Sequence, residues 1–261
     1  MVKNLPGWSL RINTSSCAGH GLTADNIKNL GGRISGTDTT LTARTDLDNL
    51  GGVIEGVNSV ALAAGRDINV RSTTRDTTSS QGKRTNIDRV AGLYITGSGG
   101  TLTASATRDL NIDGAAVVNG LLAAAPAAAT RTTLLAGNNI NLNTVLTTSE
   151  QAIIWNSNNF RKDSSRTDVG TTIQGKGNIT LAAGNNVSAR AASIDSSGGA
   201  LQIAAGKDIA LTTGESNRTL DEKHQTTSKG FLSKKTTTTR DQLDETRSIA
   251  SSLSAERIDL A

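Results

Sequence analysis

One glycine-rich segment resembles a site for phosphate chemistry. Gly170–Gly177 reads GTTIQGKG, which nearly matches the P-loop pattern of nucleotide-binding proteins. Gly177 stands where a serine or threonine would hold magnesium, and Asn178–Leu181 continues as a strand where a P-loop opens a helix. We therefore predict no nucleotide cofactor here, and we interpret the glycines as bends between strands.

Side chains that bind metals or act as nucleophiles are scarce. Cys17 and His20 lie near each other, and His224 is the only other histidine. Tetrahedral zinc would need a second pair of ligands, and a cysteine nucleophile beside His20 would need a rigid framework. We predict no metal site, no cofactor and no catalytic residue among them. Because Cys17 is the single cysteine, no intramolecular disulfide can form.

Three aspartates, Asp67, Asp109 and Asp208, occur at equivalent positions of a recurring phrase, and each follows an arginine or a lysine. Acid–base catalysis and calcium binding both need grouped carboxylates, whereas these alternate with cations. We interpret them as a ladder of alternating charges. We therefore expect a protein that is not an enzyme, with a β-helical polysaccharide-processing enzyme as the alternative.

The positive charge of the chain is spread out, apart from one short run. The net charge is +4 with a pI near 9.4, and cations alternate with aspartates, so we predict no nucleic-acid partner. Lys234–Arg240 (KKTTTTR) could attract anionic lipids or glycans, or be a solvated loop. Arg240–Leu253 fits a short helix or a hairpin strand.

The elements that would position these residues are repeated. Leu181–Val187 (LAAGNNV) returns as Ile203–Ile209 (IAAGKDI), and their glycines are 22 residues apart. Asn29–Gly36 returns as Asn49–Gly56, 20 residues later. A unit this short cannot bury an apolar face alone, so neighbouring copies must form the core together.

Each copy alternates aliphatic and polar residues on both sides of a bend of the type Gly-Asn-Asn or Gly-Lys-Asp, which is strand periodicity. Aromatic residues make up only 2% of the chain, too few for an ordinary layered core of this length. We predict an all-β fold, a right-handed parallel β-helix (solenoid) with lateral loop or hairpin excursions.

The repeat divides the chain. Residues 1–20 fit no copy, and we expect an irregular N-terminal segment there. Residues 21–261 form the β-helix in this prediction. Polar excursions rich in threonine and serine interrupt it near 71–95, 144–173 and 212–252, and the last two hold Trp155, Phe160 and Phe231.

The repeated phrases resemble a known family. They are LAAGRDINV, LLAGNNINL, IAAGKDIAL, the pair NLGGxIxG, and GFLSKKTTTT followed by IASSLSA. These are similar to filamentous haemagglutinin repeats, and more narrowly to the repeat region of two-partner-secreted exoproteins that include contact-dependent growth inhibition effectors. The resemblance covers about residues 21–261.

The resemblance implies a segment of a secreted or surface-exposed bacterial haemagglutinin or adhesin, serving as filament and as a cell-contact or toxin-delivery module. The implied partners are a target-cell surface (protein receptor, glycan or outer membrane) and an outer-membrane two-partner-secretion transporter. The chain shows no signal peptide, toxin region or evident polar cap on its last copy. We therefore expect an extracellular or cell-surface piece of a longer protein, with an inert gene fragment as another alternative.

Overall fold

The computed structural model describes residues 9–16, 20–120 and 130–261, and within these ranges the chain is all-β, with strands and no helix. The described part therefore contains no helix long and apolar enough to cross a membrane. The strands are β1 (Ser9–Ser16), β2 (His20–Ala24), β3 (Asn26–Ala43), β4 (Leu47–Leu50), β5 (Val53–Ala64), β6 (Ile68–Arg71), β7 (Thr73–Ser79), β8 (Gly82–Arg89), β9 (Gly92–Ile95), β10 (Thr101–Ala106), β11 (Leu110–Asp113), β12 (Ala116–Asn119), β13 (Arg131–Ala136), β14 (Ile140–Asn143), β15 (Val145–Asn156), β16 (Asn159–Val169), β17 (Thr172–Gly175), β18 (Asn178–Ala183), β19 (Val187–Arg190), β20 (Ser193–Ala205), β21 (Ile209–Thr212), β22 (Gly214–Lys229), β23 (Lys234–Ile249) and β24 (Ser252–Leu260).

These strands form two sheets. Of the described strands, 18 pair in parallel, and we call this sheet the stack. The other six pair antiparallel in the order β7-β8-β15-β16-β22-β23, and we call this the side sheet. The prediction of an all-β fold with parallel strands is confirmed, and the closed arrangement of the stack is consistent with a β-helix.

The stack holds the apolar core because its strands bury every second residue. Equivalent residues of successive layers lie directly opposite one another in three ladders. One consists of Leu41, Leu62, Ala104, Leu134, Leu181 and Ile203, another of Ile27, Leu47, Ile68, Leu110, Ile140 and Val187, and the third of Ile34, Ile54, Leu93, Val117, Ile173 and Ile194, all of them buried. Small aliphatic side chains fill this narrow interior, and this explains why the chain needs so few aromatic residues.

A buried pair of asparagines lies at one corner of the stack. The Nδ2 group of Asn29 donates to Oδ1 of Asn49 at 2.8 Å, and Nδ2 of Asn49 donates to the carbonyl of Gly52 at 2.9 Å. The neighbouring Gly31 and Gly51 have φ angles of 69° and 62°, which favour glycine. The repeated NLGG phrase therefore encodes a bend with its own internal hydrogen bonds.

The side sheet consists of three hairpins that leave the stack at different layers. Hairpin 1 is β7–β8, hairpin 2 is β15–β16 and hairpin 3 is β22–β23. Of the alternatives for residues 240–253, the strand is the one found, because β23 runs to Ile249 opposite β22. In the N-terminal segment, Ser9–Ser16 is a strand parallel to β3.

Candidate functional site: the side sheet and its hairpin tips

Each hairpin is fixed to the stack by a hydroxyl group at its root. Oγ of Ser72 donates to the carbonyl of Gly114 at 2.6 Å, and Oγ1 of Thr171 donates to the carbonyl of Ile112 at 2.7 Å. Oγ of Ser251 donates to the carbonyl of Thr212 at 2.8 Å. Ser72 and Thr171 are buried, so these bonds give their hydroxyl groups the partners that buried polar groups require.

Hairpins from distant parts of the chain are joined edge to edge. The backbone N–H of Ala152 donates to the carbonyl of Gln81 at 2.7 Å, joining hairpins 1 and 2. Hairpins 2 and 3 are joined along β16 and β22, where the hydroxyls of Ser164 and Thr219 share a hydrogen bond of 2.7 Å. The six strands thus behave as one surface.

One face of the side sheet carries an open groove of about 960 Å³. Charged side chains of both signs lie along it on five different strands, and they are Lys83, Glu150, Lys162, Asp221 and Asp244. Such a surface offers hydrogen-bond donors and acceptors to a polar ligand, and carboxylates outnumber lysines along it.

Arginines pair with the acidic groups of the side sheet. Arg240 donates two hydrogen bonds to the carboxylate of Asp221, at 2.9 and 3.0 Å, and lowers its pKa. Arg218 donates to Asp163 at 3.2 Å and lowers the pKa of that carboxyl as well. Both groups are therefore ionised at neutral pH, whereas a general acid would need a raised pKa.

The tips of hairpins 2 and 3 are apolar. Ile154 and Trp155 near the tip of hairpin 2 are 63% and 68% exposed, and Phe231 and Leu232 at the turn of hairpin 3 are 101% and 93% exposed. Phe160 instead lies beside Lys162, whose Nζ is 5.5 Å from the ring centroid. Solvated apolar side chains in a cluster mark a contact surface more often than a structural requirement.

The other sequence candidates lie in the stack. The segment that resembles a P-loop forms β17, a bend and the start of β18. A side chain at Gly170 would collide with the backbone of Ala191, and one at Gly177 with that of Thr130. These glycines therefore permit close packing between layers.

The aspartates of the recurring phrase are bound into ladders along a corner of the stack. Asp67 forms an ion pair with Arg108 of the next layer, with Nε and Oδ1 2.8 Å apart. Asp109 accepts from Nδ2 of Asn138 at 2.8 Å, and the backbone N–H of Asp208 donates to Asn186 at 3.3 Å. Asp67 and Asp109 thus stabilise adjacent layers, as the charge-ladder interpretation predicts.

The residues weighed as metal ligands do not form a site in the described part of the chain. Cys17 lies outside the described residues, and the backbone of His20 belongs to β2. His224 lies on β22 opposite Thr239. Within ranges 9–16, 20–120 and 130–261, no group of three or more histidine, cysteine, aspartate or glutamate residues could hold a metal ion.

Comparison with known protein families identifies the repeat. Residues 23–144 and 154–244 match the model of the family described as hemagglutinin repeat. The chain belongs to the hemagglutinin repeat family. No curated protein and no solved structure matches it.

The matched ranges include a large part of the hairpins. In this hemagglutinin-repeat chain the first range includes all of hairpin 1, and the second includes β16, β22 and most of β23. The family pattern therefore covers much of the side sheet, together with most of the stack.

Sequence reasoning about this hemagglutinin-repeat chain missed the joining of the excursions into one sheet. Their threonine content favours strands, as in the run Thr236–Thr239, and this signal was available. The pairing of Ser164 with Thr219 could not be predicted, because the hairpins share no repeated phrase that would indicate a register.

Proposed function

We propose that this chain is an adhesin-like, non-enzymatic segment of a secreted or cell-surface bacterial protein. In this proposal the stack is a right-handed parallel β-helix that serves as a rigid spacer. Membership of the hemagglutinin repeat family supports the adhesin-like role and the location. The strong general preference for right-handed connections between parallel strands supports the handedness.

The observation that carries the proposal is where exposed apolar side chains lie. Among residues 21–120 and 130–261, four large hydrophobic side chains exceed 60% exposure, and all lie at the tips of hairpins 2 and 3: Ile154, Trp155, Phe231 and Leu232. The tips are also the points of the side sheet farthest from the stack along each hairpin. A spacer that holds apolar tips away from its own core presents them to another surface.

Charge at the tip of hairpin 3 points to the kind of surface. Lys229, Lys234 and Lys235 flank the Phe231–Leu232 turn, and residues 224–239 contain no acidic residue. Lysines around an apolar tip suit an anionic cell surface, such as a glycan or outer membrane, and also suit an acidic protein receptor. In the finer form of the proposal, this contact serves toxin delivery by a longer exoprotein exported through a two-partner-secretion transporter.

Binding of the purified, labelled chain to bacterial cells tests the proposal. The variant I154S/W155S/F231S/L232S should lose most of the binding. The matched control V57S/V90S also removes exposed apolar side chains, but from positions outside the hairpin tips, and should bind as the parent does. Equal binding by the parent and the tip variant would contradict a role for the tips.

The non-enzymatic part of the proposal is supported by the acidic groups of the groove. Asp163 and Asp221 are held by arginines with lowered pKa values, so neither is poised to donate a proton. Incubation with acidic polysaccharides should release neither reducing ends nor unsaturated sugars. Steady turnover in that assay would favour the polysaccharide-processing alternative.

A further inference from the structure

The two edge strands of the side sheet, β7 and β23, differ in length and regularity. β7 forms one edge; it has seven residues, and its pairing with β8 is irregular between Thr73 and Thr74. β23 forms the other edge; it has 16 residues, all paired with β22 without a register shift. Proteins usually shorten, bulge or cover an edge strand to prevent pairing with another chain. β7 has these protections, whereas β23 is long, regular and almost entirely exposed.

The unpaired backbone groups of β23 can be assigned. The N–H of Gly230 donates to the carbonyl of Ser233 at 2.8 Å and closes the two-residue turn of hairpin 3. Because backbone groups alternate in direction along a strand, the odd-numbered residues of β23 bond to β22 and the even-numbered residues point outward. Thr238 therefore directs its N–H and C=O away from the sheet.

Four charged side chains on this strand, two positive and two negative, have no partner among the described residues. Lys234 and Lys235 at the start of β23, and Asp241 and Asp244 in its second half, form no side-chain ion pair or hydrogen bond among the described residues. Arg240 and Glu245, by contrast, are paired with Asp221 and Arg247. The free positive charges thus lie at the start of one exposed edge, and the free negative charges lie in its second half.

We propose that β23 pairs antiparallel with β23 of a second copy of this chain, around a twofold axis at Thr239. When two identical strands pair antiparallel, the residues whose backbone groups point outward must face each other. In β23 these are the even-numbered residues, so the numbers of any two opposed residues must add up to an even sum. The axis at Thr239 sets Lys234 of each copy opposite Asp244 of the other. This register joins Lys234 and Asp244 twice and pairs residues 234–244 of both copies. An axis at Thr238 would join the other free charges, Lys235 and Asp241, but would pair only residues 234–242, so the longer register is preferred.

The sheet itself supplies a precedent for this contact. β8 pairs with β15 and β16 pairs with β22 by the same edge-to-edge addition of hairpins that are distant in the chain. The dimer repeats that addition at the remaining long edge. It does not depend on the proposed adhesive function, since the test variants leave all four apolar tip residues unchanged.

Analytical ultracentrifugation of the full chain over a range of concentrations tests the dimer. The parent chain should show a reversible monomer–dimer equilibrium. T238P removes an outward N–H without removing a hydrogen bond to β22, and should be monomeric. The matched control T238A should dimerise as the parent does, because both variants equally lose the hydrogen bond that Gln225 donates to the Thr238 hydroxyl.

Charge exchange tests the register independently of any effect of proline on folding. K234E and D244K alone should each weaken dimerisation by about tenfold or more, since each places like charges opposite one another twice. The double variant K234E/D244K should restore it. K234E places opposite charges across hairpin 3 at Lys229, so its loss of dimer would not reflect a weakened hairpin.

Three results would overturn the inference. A parent chain that stays monomeric at all concentrations would exclude the dimer. A dimer unaffected by T238P would place the contact elsewhere, for example at an end of the stack. Failure of K234E/D244K to recover dimerisation would refute the axis at Thr239.

Discussion

The stack and the side sheet use the same chain to make sheets of opposite character. β13 in the stack buries every second residue, whereas every residue of β23 is at least partly exposed. Apolar ladders between repeat copies hold the stack together, and backbone hydrogen bonds with ion pairs hold the side sheet. Whether the apolar residues alternate thus decides which sheet a strand joins.

The two regions also differ in how far each part depends on its neighbours for stability. Neighbouring layers of the stack share a continuous core, so each layer stabilises the next. A lone two-stranded hairpin is marginally stable in water, and hairpins 1, 2 and 3 gain support by pairing with one another. We therefore expect equal substitutions to cost much more in the stack than in the side sheet.

Core truncation should show the largest contrast. Leu134 is fully buried in the stack, and L134A should lower the free energy of unfolding by about 2–5 kcal/mol. Leu243 is 40% exposed on β23, and L243A should cost less than about 1 kcal/mol. Urea unfolding followed by circular dichroism measures both, and similar losses would contradict the division into two regions.

Removal of one asparagine should show a smaller contrast of the same kind. N49A deprives the buried Nδ2 of Asn29 of one of its acceptors, at 2.8 Å, and should cost about 1–3 kcal/mol. Asn217 in the side sheet donates to Thr246 at 2.9 Å at an exposed position, where water can replace the bond. N217A should change stability by no more than about 0.5 kcal/mol. Urea unfolding measures both free-energy changes. A loss of stability in N217A as large as that in N49A would show that hydrogen bonds contribute more to the side sheet than we expect.

Acid should have the smallest effect. Arg66 also lowers the pKa of Asp46 in the stack, but buried apolar ladders hold that region, so the loss should appear mainly in the side sheet. Ion pairs lower the pKa of Asp163 and Asp221 below the ordinary value of 3.8. Their contribution to stability is therefore full above about pH 3.8 and fades as the pH falls through the lowered values. Pepsin should then cut hairpin 3 increasingly as the pH falls through this window, while the layers around Leu134 stay protected.

The variant D163N/D221N checks the cause of that acid sensitivity. Without titrating carboxylates at these positions, cleavage of hairpin 3 relative to an unfolded control should depend little on pH. An unchanged acid dependence would assign the effect to other groups.

Much of the stack could be predicted from repetition alone. Leu181 and Ile203 are 22 residues apart in the repeat, and Asn29 and Asn49 are 20 residues apart. In the structure each pair lies directly opposite on neighbouring strands, so the repeat offset equals the pairing register. A repeated phrase fixes its own pairing partner, and the buried face follows from the alternation.

The side sheet could not be predicted in this way. Ser164 and Thr219 meet across hairpins that have no common phrase, so no internal comparison aligns them. The short helix considered for residues 240–253 fails for a related reason. Local propensity was ambiguous there, and pairing with β22, a tertiary contact, decided for the strand.

The order of strands in the side sheet follows the order of the chain: hairpin 1, then 2, then 3. A polypeptide that emerges N-terminus first can therefore assemble this sheet progressively, since hairpins 2 and 3 each find the preceding hairpin already in place. Stack strands likewise add to layers formed earlier. Folding can then proceed in step with synthesis or threading through a narrow opening, without waiting for the last residue.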